Sequence, residues 1–147
     1  MSFQFNETQK LIPLIIFIFF SFFSTNAKLA MGDSLNKYLW EHRIVLIFSK
    51  NKNNSMFVEQ KQQFSNLNAE TQERDLIFLD IFNNSNSKHK HLKNKYNPES
   101  SNFKILLIGK DGEIKLQSLK VITHDKIFSL IDSMPMRQME IQKRAND

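Results

Sequence analysis

Cysteine is absent from this sequence of 147 residues. No disulfide can staple the fold and no thiol can carry redox chemistry, so an apolar core alone must hold the domain together. Proline and glycine are scarce too, at three each, which makes the positions they occupy informative. Residues 11–23 form the one extended apolar stretch, preceded by Lys10 and followed by Ser24-Thr25-Asn26-Ala27. A bilayer span needs about 18 or more such residues, and Pro13 interrupts this shorter run. A basic start, a short apolar stretch and a small-residue exit make a signal peptide of residues 1–27, cleaved after Ala27, with an uncleaved anchor as the alternative. The remainder, residues 28–147, is the size of one domain. It is expected to be secreted or periplasmic, touching the membrane only through its leader before cleavage.

The formal charge is +5. An exported basic domain meets anionic lipid headgroups, wall polymers or glycans before it meets nucleic acid. The expected partner is therefore an envelope or extracellular component, preferably anionic, and not nucleic acid. The same excess charge also serves solubility alone.

Taken in order, residues 44–48 are a wholly apolar, β-branched run that reads as a central strand. The polar loop 49–55 follows. Phe57, Gln60, Phe64 and Leu67 then share one face of a helix expected over 56–70, with Ser55 as its cap. Residues 75–82 form a second apolar strand, so strand, helix and strand make a parallel crossover. Residues 83–101 are rich in Asn, Ser, Lys and His, and Pro98 breaks any helix there. A third strand, 103–108, leads through Gly109-Lys110-Asp111-Gly112 into a half-buried fourth, where Ile114 and Leu116 alternate with Lys115 and Gln117. Either a type I′ turn or a type I turn with a bulge suits this hairpin. Ile127, Phe128, Leu130, Ile131 and Met134 then give a strong helical pattern, capped by Thr123, that ends or kinks at Pro135. A last turn and a frayed charged tail are expected beyond it.

The order β-α-β, connector, β-hairpin, helix is an α/β, thioredoxin-like arrangement with sheet order 2-1-3-4. The second strand is apolar enough for a further strand to lie beside it. In such folds the loop after the first strand carries the reactive thiol; here it is Ser49-Lys50-Asn51-Lys52-Asn53-Asn54-Ser55, and the thiol chemistry is gone. His42, His89, His91 and His124 fall in no hydrolase motif that would activate a serine.

Gly109-Lys110-Asp111-Gly112 after the third strand, together with Ile131-Asp132-Ser133-Met134-Pro135-Met136-Arg137, resembles the family catalogued as domain of unknown function 4174. Gln60 and Arg74-Asp75 support the likeness. The resemblance implies a thioredoxin-like or peroxiredoxin-like exported domain with no established reaction.

Candidate interaction residues are Lys50 and Lys52 in the first loop, Lys88 and Lys90 in the run Lys88-His89-Lys90-His91, Lys110 and Asp111 at an exposed hairpin turn, and Arg137. The lysines beside His89 and His91 repel a metal cation, leaving a solvated loop or polyanion contact. Asp80 is expected at a solvated strand end or paired with a lysine. Arg137 is expected to cap a helix or hold Asp132 or Asp80. No catalytic residue, metal or cofactor is assigned. The function expected is a redox-inert binding module. The alternative is a non-thiol enzyme at the C-terminal ends of the first two strands, drawing on Asp80, His124 and Arg137.

Overall fold

A computed structural model of the chain describes residues 33–83, 89–97 and 99–146. The expected leader and Lys88 lie outside the described residues. Four strands, β1 (Arg43–Ser49), β2 (Leu76–Phe82), β3 (Phe103–Ile108) and β4 (Ile114–Ser118), form one sheet in the order β2-β1-β3-β4. β1 runs parallel to β2 and antiparallel to β3, and β4 closes the hairpin with β3. The helices are α1 (Asp33–Asn36), α2 (Ser55–Gln62), α3 (Asn68–Glu73), α4 (Lys90–Tyr96), α5 (His124–Asp132) and α6 (Pro135–Asn146). This is the thioredoxin-like arrangement that the sequence implies. Among the described residues, no further strand lies beside β2 and no helix is long and apolar enough to cross a membrane.

The sheet is covered on both faces, which is why β1 has no polar alternation. Side chains along a strand point to opposite faces in turn. Val45 and Ile47 therefore join Phe57, Ile105, Leu107, Ile127, Phe128 and Ile131 in one core. Ile44, Leu46 and Phe48 join Leu35, Leu92, Tyr96, Leu106 and Ile108 in the other. Each such side chain contributes about 1.5–3 kcal/mol by leaving water. Gln60 is the polar exception inside the first core: its Nε2 donates to Ile122 O and its Oε1 accepts from Ile122 N, both at 2.8 Å. This double bond fixes α2 against the segment that leads into α5, and it explains a glutamine on an apolar helix face.

Several local expectations are corrected. The helix expected over 56–70 is two helices, separated at Asn66, whose φ is 66°. Asn tolerates this left-handed geometry, and the break still lets Phe64 reach Phe78 and Phe128. The cap of α2 is Asn54, one residue before the expected Ser55, its side chain accepting from Phe57 N at 3.2 Å. Thr123 caps α5 as expected. Asp75 lies outside β2, at a φ of 48°. In the hairpin, Gly112 N donates to Gly109 O and only Gly112 has positive φ, so the turn is type I with a bulge, and type I′ is excluded. The register shift between Leu107 and Ile108 twists β4, and Ile114, expected to be buried, is 47% exposed. The tail expected to fray is helical through Asn146.

Candidate functional site

Two charged regions lie at opposite ends of β1. At its C-terminal end, where a thioredoxin-like fold would hold its thiol, the loop is fastened by its own polar groups. Ser49 Oγ donates to Asn51 O, Asn53 N donates to Asn51 Oδ1, and Lys50 N donates to Asn102 O. Asn83 N reaches Ser49 O, bringing the segment after β2 to the same end. Lys50, Lys52 and Lys90 are exposed, as expected, and together with Lys93 have no carboxylate partner among the described residues. Lys104 donates to Tyr96 O at 2.6 Å. Residues 49–55 and 83–104 hold seven lysines and one carboxylate, Glu99, a net of +6 that exceeds the +5 of the whole chain. The remainder is slightly acidic, so the basic character of the sequence is concentrated in these two segments. Asp80, on β2, is neutralised by Lys61 at 3.0 Å.

At the N-terminal end of β1, cations and carboxylates alternate in a closed network. Arg43, 1% exposed, grips Glu140 with both Nη atoms at 3.1 Å and donates to Arg74 O at 2.9 Å. Glu140 also takes Lys110 Nζ at 2.7 Å, and Lys110 reaches Asp75 at 2.8 Å. Arg137, also 1% exposed, bonds Asp132 through Nε, Glu73 O through Nη1 and the Glu73 carboxylate through Nη2. Arg74 Nη2 completes the network on Asp132 at 2.6 Å, its guanidinium lying 4.5 Å from the centre of the Phe128 ring. Four cations, Arg43, Arg74, Lys110 and Arg137, face four anions, Glu73, Asp75, Asp132 and Glu140, so the charges cancel.

Burial alone pushes the Asp132 carboxyl up, but the hydrogen bonds and charges of Arg74 and Arg137 outweigh it and hold Asp132 below its ordinary value. Glu140 behaves alike: desolvation opposes ionisation, while Arg43 and Lys110 overcome it and lower the carboxyl. Arg137 is correspondingly raised against desolvation by Glu73 and Asp132.

This geometry revises two of the sequence candidates. Lys110, expected at an exposed turn, is 8% exposed because its ammonium turns inward to Asp75 and Glu140. Arg137 is enclosed by its carboxylates, holding Asp132 as one reading expected, and not Asp80. Asp111 is half-buried and pairs with Lys115 at 2.6 Å. Asp80, His124 and Arg137 answer to different partners: Asp80 to Lys61, His124 to Asp125, Arg137 to Glu73 and Asp132. Arg43 and Glu140 escaped the sequence reading. The signal available was a basic residue opening an apolar strand and a glutamate three residues after Arg137 on a helix.

The hairpin and the α5–α6 joint flank an open cleft of about 450 Å³ beside this network, lined by Arg43, Gly109, Lys110, Asp111, Lys115 and residues 133–136. At Gly109 an added Cβ would stand 2.6 Å from Asp111 Oδ1 and 2.7 Å from Lys115 Cε, so the ends of these two side chains would have to shift to admit one. Trp40, the single tryptophan, donates its backbone N–H to Lys110 O at 2.7 Å with its side chain outward and φ at 67°. Such a geometry in a bulky residue costs about 1–3 kcal/mol, which the surrounding contacts must offset.

The residues that carried the family resemblance in separate fragments, Arg74-Asp75, the Gly109–Gly112 turn and the Met134–Arg137 exit, thus meet in one place. Among solved structures, a mitochondrial 2-Cys peroxiredoxin from Plasmodium falciparum is similar to the chain, at 15% identity and a TM-score of 0.47, the match covering 66% of this chain and 77% of that one. No curated protein matches the sequence. Residues 34–140, from before β1 to within α6, match the family described as Domain of unknown function (DUF4174), and the chain belongs to that family.

Proposed function

We propose that the protein is an exported, redox-inert binding module that holds an anionic polymer of the cell envelope or extracellular space through the lysines at the C-terminal end of β1. The leader of residues 1–27 supports export, with cleavage after Ala27 and a secreted or periplasmic location. One observation carries the reading: seven lysines against one carboxylate in residues 49–55 and 83–104, while the other end of the sheet neutralises itself. A concentrated field of one sign attracts a polyanion without needing a shaped pocket, and exposed contacts of this kind weaken as salt screens them. The family brings no reaction with it, and the thiol that would make this end catalytic is absent.

The test is retention of the purified protein on immobilised heparin, used as a polyanion probe, and on native envelope polymer. Retention at low salt, release at high salt and a clear loss in the combined Lys50→Glu, Lys52→Glu, Lys90→Glu variant are expected. Equal retention of variant and wild type, or none by either, would overturn the proposal.

A further inference from the structure

The two rims of the sheet are built differently. β4, at one rim, is five residues long, carries Lys115 and the exposed Gln117, and is offset by the register shift against β3. Short length, a charge and a bulge are the devices that keep an edge strand from pairing with another chain. β2, at the other rim, has none of them. It is Leu76-Ile77-Phe78-Leu79-Asp80-Ile81-Phe82, in unbroken register with β1, and its one charged residue is neutralised by Lys61. A strand this apolar belongs beside a neighbour, and among the described residues it has one on β1 alone.

The backbone of β2 shows which groups are on offer. Arg43 N donates to Asp75 O, and Asn83 N donates to Ser49 O. In a parallel ladder with this register, residues 75, 77, 79, 81 and 83 turn their backbone groups toward β1. Those of Leu76, Phe78 and Asp80 therefore turn away from the sheet, where they have no hydrogen-bond partner among the described residues. Ile77, Phe78 and Leu79 are only half-buried, so apolar side-chain area along the same rim is left for a neighbour to cover.

Charge indicates which strand fits. If β2 pairs antiparallel with β2 of a second copy about a two-fold axis at Leu79, Phe78 of each copy lies opposite Asp80 of the other as a hydrogen-bonded pair. These are residues whose backbone groups face outward. Lys61 Nζ lies 3.0 Å from Asp80 Oδ2 and 5.6 Å from the centre of the Phe78 ring. Each Lys61 thus stands over the position at which Asp80 of the other copy arrives. Two carboxylates and two ammonium groups are brought together across the axis, and no like charges lie directly opposite. An axis at Asp80 would set the two carboxylates against each other, so the charge pattern selects Leu79.

We propose that β2 is a self-recognition edge: two copies of this chain pair antiparallel through β2, about a two-fold axis at Leu79, so that one sheet runs through both. A single strand pair is a small interface, and the dimer is therefore reversible and concentration-dependent. The lysine ends of the two β1 strands face opposite ways in it. The pairing stands whether or not those lysines bind polyanions.

The experiment uses the absence of cysteine, which makes an introduced thiol unambiguous. In Leu79→Cys the two thiols meet at the axis, in a non-hydrogen-bonded pair whose Cα separation of about 4.5 Å suits a disulfide. Gln117→Cys, exposed on β4, is the comparison. With oxidised glutathione as oxidant, Leu79→Cys is expected to form covalent dimer at least about tenfold faster than Gln117→Cys. In the unsubstituted protein, light scattering between about 10 μM and about 1 mM should show dimer accumulating. Hydrogen exchange at the amides of Leu76, Phe78 and Asp80 should slow over the same range, a reading that holds even if Leu79→Cys does not fold. Lys61→Glu should weaken dimerisation by about tenfold, and Lys61→Glu combined with Asp80→Lys should restore it. A protein monomeric throughout, equal cross-linking of the two cysteine variants, outward amides indifferent to concentration, or undiminished dimerisation of Lys61→Glu would each overturn the proposal.

Discussion

The two ends of β1 handle charge in opposite ways. At the N-terminal end every cation of the network has a carboxylate, and two of the arginines are buried. At the C-terminal end Lys50 and Lys52 are exposed and have no carboxylate partner among the described residues. The difference is what separates structural charge from available charge. A buried arginine can be tolerated only where its partners are fixed, and removing one partner leaves the other uncompensated. An exposed lysine costs little, contributes little to stability, and keeps its field for whatever approaches.

The sharpest way to break the contrast is Arg137→Ala. It empties the space of a buried side chain and leaves Asp132 and Glu73 with Arg74 as their remaining cation, and should lower unfolding free energy by about 3 kcal/mol, read from urea denaturation. The far end of the sheet should answer differently.

Acid offers a second probe. Asp132 and Glu140 are held below their ordinary values in the folded protein. The unfolded chain therefore takes up protons first, and stability present above the ordinary carboxylate range is lost as pH falls through the lower folded-state values. Urea midpoints measured as a function of pH should show that acid limb, and Glu140→Gln should flatten it. The smallest effect is expected from the double substitution Lys50→Ala, Lys52→Ala: a change in stability within about 0.5 kcal/mol by the same assay, because neither lysine has a carboxylate partner among the described residues.

Much of the fold is legible without coordinates, because its signals are local. The apolar run at β1, the glycine turn before β4 and the Thr123 cap each act within a few residues, and together they dictate the order of elements. The break at Asn66 is less legible: the apolar spacing of Phe57, Phe64 and Leu67 runs through it, and only the left-handed φ of Asn66 marks where one helix gives way to the next. Lysines 50 and 52 are readable as exposed because every residue from Ser49 to Ser55 is polar. Lys110 is misread because its burial is decided by Asp75 and Glu140, each about thirty residues away or more, and no pattern around a glycine turn announces them. For Arg137 the sequence offers a helix cap, Asp132 or Asp80, and the structure selects Asp132, five residues before it, together with Glu73, 64 residues away, which no local pattern announces.

The pairing of Arg43 with Glu140 also orders events in time. These residues are 97 positions apart, so the first strand places its arginine long before the helix that neutralises it exists. Until α6 docks, an unfinished chain carries a cation at the mouth of its core with its carboxylate partner missing, and contacts of such separation close late because a long loop must be ordered first. A chain cut short before Glu140 is therefore expected to leave the Arg43 guanidinium without its carboxylate at the N-terminal end of the sheet.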